Sequence, residues 1–326
     1  MEAKGKTMNI GAPQARTATD VILTLGIRFL ASILFIVLVG FSLYYVVDRA
    51  SLVGPSPVDN TMRELEELVK QEPDNANLRV QVAQAYTERD IYEAALAQYK
   101  SALEIEPDHQ AALIGMGNIY LAQNNDKEAL AAFQKVADLN KDNPYKKTLR
   151  QLEAVYYRLA LIQERIGNLE VARSNLLQAL DIERTDSDAW YLLGEVQRKQ
   201  NRGQEAVESY RKAVSLDPRF TDAYRAMSAV YTQMGDPAMA EYADGMVAVA
   251  NRDYQRGLTL LQRSTSAAPD NADALWGLGM CYENEGRYQE ALDAYLSAVN
   301  LGQNHILAEM SLKRVYEKIP AGEVQK

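Results

Sequence analysis

A small residue recurs at regular intervals along most of this chain. Alanine, glycine or serine occupies the recurring position, at Ala83, Gly117, Ala160, Gly194, Ser228 and Gly279. The intervals are 34, 43, 34, 34 and 51 residues. Three intervals are therefore one 34-residue unit, one is a unit with an insertion, and the last is a unit and a half. A fixed period of about 20–50 residues is the signature of repeat architectures, so the chain is predicted to be an array of stacked units.

The residues around each small position predict a pair of helices. Large apolar residues lie three and four places away, as in the apolar stripe of an amphipathic helix, and a small residue lets two helices approach closely. Pro107, Pro218 and Pro269 stand at unit boundaries, where proline ends a helix and a following Asp or Asn caps the next. Each pair leaves an apolar face that only a neighbouring pair can cover, so at least three units must stack together.

The fourth unit carries the most complete pattern. Its packing positions are Trp190, Leu193 and Gly194 in the first helix, Ala206, Tyr210 and Ala213 in the second, and Pro218 at the end. In these residues the chain resembles the tetratricopeptide-repeat (TPR) family, whose unit is a 34-residue helix–turn–helix. The resemblance covers about residues 60–318. It implies an all-α fold, a TPR α-solenoid in which antiparallel helix pairs form a right-handed superhelix.

Two departures from the regular period predict irregular features. Nine extra residues between the second and third units are expected to lengthen the third unit's first helix, starting after Pro144. Ala238–Asn251 is expected to close the fifth unit and also to open the next, whose second helix is Tyr254–Ala267. This half-step should divide the array into a main part, residues 61–251, and a C-terminal lobe, residues 252–320. Met62–Gln71 is interpreted as a half-unit cap and His305–Lys318 as a closing helix.

An apolar stretch precedes the array. Val21–Val47 contains one charge, Arg28, and the remaining 19 residues from Phe29 are uncharged, about enough to cross a bilayer. A cleaved signal peptide is the main alternative, but its apolar core normally spans about 7–15 residues. The sequence therefore predicts one transmembrane helix at residues 21–47, between a tail at 1–20 and a linker at 48–60. Residues 321–326 are a second tail.

The orientation of this anchor follows from the flanking charges. Four Lys or Arg residues lie on its N-terminal side, the last of them Arg28, whereas Arg49, Arg63 and Lys70 follow the anchor. The positive-inside rule then favours a cytoplasmic N-terminus. A single-pass protein of the cell membrane, with an extracytoplasmic TPR region, is the predicted arrangement.

Charge and composition argue against several functions. The net charge is −9, and residues 1–47 sum to +2, so the rest sums to −11. A folded part this acidic is a poor partner for nucleic acid. The chain has one cysteine, Cys281, and two histidines, His109 and His305, with no metal-ligand spacing. No stretch outside the array could hold a catalytic domain. The sequence predicts no enzyme activity, no cofactor, no metal and no small-molecule substrate.

The resemblance implies that the first helices of the units line a concave groove that binds a protein. The candidate protein-binding residues are Ile114, Asn118, Tyr157, Leu161, Tyr191, Glu195, Arg225 and Trp276. Large apolar groups stand at Ile114, Tyr157, Leu161 and Tyr191, where a solvated helix would carry Lys or Glu. Exposed apolar patches mark contact surfaces. The alternative is that the lengthened helix or the linker folds over these groups, or that a tight superhelix buries them. We expect the stripe from Ile114 to Tyr191 to take a helix or an extended peptide.

Taken together, these features predict a membrane-anchored protein-interaction scaffold or adaptor. Its TPR array would bind client proteins in envelope assembly, secretion or protein maturation. The alternative is a cytosol-facing membrane receptor or co-chaperone that recruits proteins to the membrane. The basic residues with which some family members bind chaperone tails are missing, because Val80, Ile114 and Tyr157 stand at those places.

Overall fold

A computed structural model describes residues 30, 32–45, 57–302 and 305–319 of the chain. The chain divides into two compact units, Met1–Pro73 and Asp74–Lys326. In the first unit, residues 30 and 32–45 are helical with exposed side chains, and helix α1 spans Pro57–Gln71. The tails predicted at residues 1–20 and 321–326 lie outside the described residues.

The predicted transmembrane helix at residues 21–47 is only partly described, because residues 21–29, 31, 46 and 47 lie outside the described residues. No helix within the described ranges has both the length and the apolar composition needed to cross a bilayer. Helix α1 begins at Pro57, earlier than the linker predicted at residues 48–60 would allow. Proline suits this position, since the first N–H of a helix has no intrahelical partner.

The second unit is built entirely of helices over its described residues, apart from turns. After α1 these are α2 Ala76–Thr87, α3 Tyr92–Ile105, α4 Gln110–Ala122, α5 Asp126–Leu139, α6 Arg150–Arg165, α7 Leu169–Ile182, α8 Ser187–Lys199, α9 Gly203–Leu216, α10 Thr221–Met234, α11 Pro237–Ala250, α12 Tyr254–Ala267, α13 Ala272–Asn284, α14 Tyr288–Leu301 and α15 Ile306–Tyr316. The predicted all-α repeat solenoid is confirmed.

Each close helix pair is joined by the same kind of turn. One residue in each turn has a positive φ, and these residues are Asp90, Asn124, Gly167, Asn201, Gly235, Arg252 and Gly286. The next N–H bonds back to a carbonyl five residues earlier, as from Asn125 to Tyr120 (2.8 Å) and from Asn168 to Gln163 (2.8 Å). This bond satisfies a carbonyl at the end of the first helix and reverses the chain. The turns therefore mark where each pair is folded.

The small residues lie where the two helices of a pair cross. A Cβ atom added to Gly194 would lie 2.5 Å from the ring of Tyr210, and one added to Gly279 would lie 2.5 Å from the ring of Tyr295. Gly117 stands in the same relation to Phe133. In all three pairs the large residue follows the small one at the same spacing. The repeat period therefore records one contact, a ring of the second helix lying against the backbone of the first.

Helix α11 belongs to two close pairs, with α10 before it and α12 after it. Turns with a positive φ stand on both sides, at Gly235 and Arg252. Gly245 on α11 faces Leu261 on α12, where a Cβ would lie 2.7 Å from the leucine side chain. Gly245 accounts for the long interval, because it lies half a period after Ser228 and one full period before Gly279. The predicted sharing of this helix is confirmed, and the domain boundary between residues 251 and 252 stays a prediction.

The insertion before the third unit differs from the prediction in part. Helix α6 is longer than the other first helices of the array, at 16 residues, but it begins at Arg150 and not directly after Pro144. A short 3-10 helix, Lys146–Thr148, takes up much of the insertion. Two side-chain contacts hold it, from Thr148 Oγ1 to the Tyr145 carbonyl (2.8 Å) and from Lys147 Nζ to Asp181 Oδ2 (2.8 Å).

Helix α15 closes the array through one carboxylate on α13. Glu283 accepts hydrogen bonds from Arg314 Nη2 (2.7 Å), Lys318 Nζ (3.0 Å) and Tyr295 Oη (2.9 Å). Burial by itself would raise the pKa of Glu283, but these three donors hold the pKa at about 2. The carboxylate therefore stays ionised and ties the last helix to the unit before it.

Replacing Gly194 by alanine tests the crossing contact. The new methyl group would meet the ring of Tyr210, which is fully buried and whose hydroxyl is bonded to Glu195, so the ring has no room to move. We expect the free energy of unfolding to fall by about 1–3 kcal/mol, measured by urea denaturation followed by circular dichroism.

Gly203 at the start of α9 provides the matched control. A Cβ there would meet its nearest neighbour, Val230, at an ordinary 3.4 Å. Gly203→Ala should therefore be neutral or slightly stabilising, because alanine favours helix over glycine by up to about 1 kcal/mol. Equal losses in the two variants would contradict the crossing contact.

Candidate functional site

Seven of the eight candidate residues lie on the outward side of the first helices α4, α6, α8 and α10, a surface that we call the first-helix face. The eighth, Trp276, lies on α13. Helices α6, α8 and α10 lie side by side along the first-helix face. Tyr157 and Leu161 are half-buried and rest on a hydrophobic cluster shared by α6, α7 and α8. Ile114 is half-buried against the preceding cluster. The face thus presents apolar groups that are supported from below and partly open to solvent.

Tyr191 is held by neighbouring rings. Its ring centroid lies 4.9 Å from that of Phe220 and 5.9 Å from that of Tyr210, both in tilted geometry. Such pairs add to the stability gained from burial alone. Tyr191 therefore serves the packing of α8 against α9 and α10, and it also keeps a half-exposed edge on the first-helix face.

Glu195 lies one turn along α8 from Tyr191 and is already bonded. Tyr210 Oη donates to Glu195 Oε1 (2.5 Å), and Arg198 Nη2 donates to Oε2 (2.7 Å). Burial would raise the pKa of Glu195, but the bonds from Arg198 and Tyr210 hold it below its usual range. On the next first helix, Arg225 is exposed and pairs with Asp222 (2.7 Å). Both candidates therefore bring charge to the face.

Two candidate residues, Trp276 and Asn118, do not lie at open positions of a groove as the sequence predicted. Trp276 is 6% exposed, and its Nε1 donates to Ser311 Oγ (3.2 Å) on the closing helix. Its prediction as a groove residue is corrected, because α15 covers it. Asn118 is half-buried, and its Oδ1 accepts no hydrogen bond from any described residue. An unpaired buried acceptor costs free energy, and this oxygen is closed to solvent, so it is not an open groove position.

A pair of carboxyl groups beside Tyr157 was not anticipated from the sequence. Asp186 caps α8 by accepting from the N–H groups of Asp188 (2.9 Å) and Ala189 (3.0 Å). Glu153, one turn before Tyr157, lies next to it. Burial first, and then the Asp186 carboxyl, raise the pKa of Glu153 to about 7. Because the two carboxyl groups belong to different units of the array, only the stacking of α6 on α8 brings them together.

This part of the face is acidic. The carboxylates of Asp186, Asp188 and Glu153 lie close enough to Tyr157 to raise the pKa of its hydroxyl, after burial, which is the larger cause. Glu195 and Asp222 also raise the pKa of Tyr191, and Arg198 opposes them with a smaller effect. The face therefore combines half-buried apolar rings with negative charge. Among the residues that the structure covers, no group of three or more His, Cys, Asp or Glu side chains could hold a metal ion.

Two family models match the chain. A model described as "Tetratricopeptide repeat protein 21 C-terminal ARM domain" matches residues 57–225, which is more than half of the chain, and one described as "Tetratricopeptide repeat" matches residues 242–305. The second match begins in α11. Helix α11 is the shared helix, which closes the fifth unit and opens the next one.

The chain is also similar to several curated proteins and to a solved structure. The chain is 28% identical over 175 residues to "Protein O-mannosyl-transferase TMTC3" of Homo sapiens, covering 52% of this chain and 19% of that protein. It is 25% identical to the "Peroxisomal targeting signal receptor" of Candida albicans, covering 68% and 34%. The chain thus spans about a fifth to a third of these relatives. The structure of YrrB, "a TPR protein with an unusual peptide-binding site", aligns with a TM-score of 0.48 and 20% identity, covering 65% of this chain and 95% of that one.

The raised pKa of Glu153 predicts how stability depends on pH. The folded protein holds this proton up to about pH 7, whereas an unfolded Glu releases it near its ordinary value of 4.5. Stability should therefore fall as pH rises from about 4.5 to about 7. Glu153→Gln should remove this loss, so that the melting temperature rises relative to wild type at pH 8 and changes little at pH 4.5.

Glu283→Gln is the contrasting control for thermal melts across this pH range. The pKa of Glu283 is lowered to about 2, so its stabilisation is present above about pH 4.5 and is lost as pH falls toward 2. This variant should melt at a lower temperature than wild type at pH 8. A Glu153→Gln variant that also melts lower at pH 8 would show that Glu153 is ionised and paired.

Proposed function

The chain belongs to the tetratricopeptide-repeat family, and we propose that it is a membrane-anchored scaffold whose first-helix face binds a segment of a client protein. TPR proteins generally mediate protein–protein interactions. The single observation that carries the proposal is the row of half-buried apolar side chains at Ile114, Tyr157, Leu161 and Tyr191. Fixed aromatic groups supported from below are the side chains that contribute most to binding energy at interfaces.

The charge of the face supports a client segment that is basic as well as apolar. Asp222, near Tyr191, is already paired with Arg225. The carboxylates open to a client are therefore those near Tyr157, which belong to Asp186, Asp188 and, above about pH 7, Glu153. Lys or Arg residues on the client would complement these carboxylates, and the attraction would speed association at low salt. The negative charge of the chain as a whole acts in the same direction. The client is thus proposed to be an amphipathic basic helix or an extended basic segment.

The membrane anchor is part of the proposal. Its support is the apolar sequence at residues 21–47, most of whose length suits one bilayer crossing. With the N-terminus in the cytoplasm, the array would act outside it, in envelope assembly, secretion or protein maturation. An anchor holds the array near membrane-bound clients and so raises their effective concentration.

A cytosol-facing receptor or co-chaperone is the second candidate. Its support is the match to a Candida albicans protein whose name describes a targeting signal receptor. This candidate uses the same face but requires the opposite orientation in the membrane. The two functions therefore differ in a property that can be measured directly.

The binding face is tested with a photocrosslinking residue, benzoylphenylalanine, in place of Arg225, which is exposed at the edge of the face. We expect crosslinked adducts to form in intact membranes. Tyr157→Ser should lower their yield at least about tenfold, because a loss of about 1.4 kcal/mol of binding energy weakens binding about tenfold. Raising the salt concentration should also lower the yield, since exposed charges are screened.

Leu177→Ser is the matched control for this experiment. Leu177 is 42% exposed on the second helix α7, so the substitution also removes an exposed apolar side chain, but from a helix outside the face. Adducts that survive Tyr157→Ser but are lost in the control would place the client elsewhere. The melting temperatures of both variants show whether either substitution lowers the yield by destabilising the fold.

The orientation is tested with an introduced cysteine. Cys281 is fully buried, and burial raises the pKa of its thiol to about 12, so the native thiol should not react. Tyr145 is 72% exposed, so Tyr145→Cys supplies a single reactive thiol on the array. A membrane-impermeant maleimide should label it in intact cells, while Thr7→Cys should be labelled only after lysis. The reverse pattern supports the receptor.

A further inference from the structure

A cavity of ≈ 650 Å³ lies between α9, α10, α11, α13 and the start of α15. This volume falls within the range of about 300–1,000 Å³ that is typical of ligand sites. It is formed by the second helix α9 and by residues outside α4, α6 and α8. It is therefore separate from the stripe proposed to bind the client, and its role goes beyond the proposed function.

The shared helix α11 creates this cavity. In a regular array α9 would contact only its own unit and the adjacent one, but here it reaches the start of α13. Arg211 Nη2 on α9 lies 3.1 Å from Asp273 Oδ2, and His305 Nε2 lies 3.2 Å from Asp273 Oδ1. Burial would raise the pKa of Asp273, but His305 and Arg211 hold it below its usual range. The carboxylate of Asp273 is thus ionised and already paired with Arg211 and His305.

Two tyrosines in the cavity wall have no hydrogen-bond partner among the described residues. Tyr224 and Tyr242 are each 1% exposed, and their rings meet edge to face with centroids 6.3 Å apart. The buried hydroxyls of Tyr210 and Tyr295, in contrast, donate to Glu195 (2.5 Å) and Glu283 (2.9 Å). The hydroxyls of Tyr224 and Tyr242 are not among the buried polar atoms without a partner, so both are accessible from the cavity and can bond to a group held there.

The remaining polar groups of the cavity indicate what that group is. Lys212 lines the rim and forms no ion pair with a described residue, so its ammonium is a further donor. Glu208 is the opposing charge at the rim. The donors available to a group bound in the cavity are then two hydroxyls and one ammonium. Val214, Trp276 and Leu307 supply the apolar wall.

We propose that this cavity binds a carboxylate joined to an aromatic or branched aliphatic side chain. The apolar part lies against Trp276, and the carboxylate oxygens accept hydrogen bonds from Tyr224 Oη, Tyr242 Oη and Lys212 Nζ. Bonds to an ionised acceptor are the stronger kind. A C-terminal residue of a polypeptide and a free carboxylic acid share this chemistry, and the experiment separates them.

The full chain carrying Trp190→Phe provides the assay, because Trp276 is then its only tryptophan. N-acetyl-phenylalanine should change the fluorescence of Trp276 in a saturable way, with a dissociation constant on the order of 1 mM for a ligand of this size. N-acetyl-phenylalanine amide should bind more weakly. The peptide Gly-Gly-Gly-Phe should bind more tightly than phenylpropionate if the ligand is a polypeptide end, and no more tightly if it is a free acid.

Substitutions in the residues that line the cavity test whether they bind the carboxylate. Tyr224→Phe with Tyr242→Phe should weaken binding about tenfold, without lowering the melting temperature, because the lost hydroxyls had no partner. Tyr210→Phe is the matched control, which should melt lower and bind equally well. Lys212→Met should weaken binding and Glu208→Gln should strengthen it. The proposal would be overturned by any of three results. These are no saturable change of fluorescence at about 10 mM ligand, equal binding by the double Phe variant, and a lower melting temperature of that variant.

Discussion

The structure depends on one contact, between a large side chain of the second helix in each pair and the backbone of the first. At Gly194 and Tyr210 the gap holds no extra methyl group, and Gly279 repeats the contact with Tyr295. This fit sets the angle at which the helices of a pair cross, and hence which apolar groups face the next pair. Because a pair cannot bury that face alone, the same contact accounts for both the repeat period and the stacking.

The sequence predicts this framework well because the contact leaves a mark at a fixed spacing. The helix pairs, the turns within them and the shared helix α11 all follow from where small residues recur. The insertion before α6 was harder to predict, since its fold depends on contacts between distant parts of the chain, such as Lys147 with Asp181 at the end of α7. The linker prediction was also wrong for residues 57–60, here because the local composition is ambiguous. Two prolines and a glycine in that region suit a loop, yet Pro57 is also a good first residue of a helix.

The candidate site was predictable only in part. Position within the repeat indicates which side chains point away from the pair, and this places Tyr157, Leu161 and Tyr191 on the first-helix face. It does not indicate what lies above them. Trp276 occupies the equivalent position, but the closing helix covers it, and its indole bonds to Ser311. Glu153 and Asp186 meet only because two units stack, so no local pattern predicted the raised pKa of Glu153.

Sharing α11 between two pairs has a consequence for the surfaces of the array. An uninterrupted array has all its first helices in one row, and its outward residues form a single face. Here the row ends at α10 and a new one starts at α11, so Asp273 on a later first helix meets Arg211 on an earlier second helix. Two tyrosine hydroxyls at this junction, those of Tyr224 and Tyr242, have no partner among the described residues and are accessible from the cavity. The hydroxyls of Tyr210 and Tyr295, which lie in complete pairs, are bonded to carboxylates of the same pair. The irregular step therefore gives a repeat scaffold a second concave surface that regular stacking would not produce.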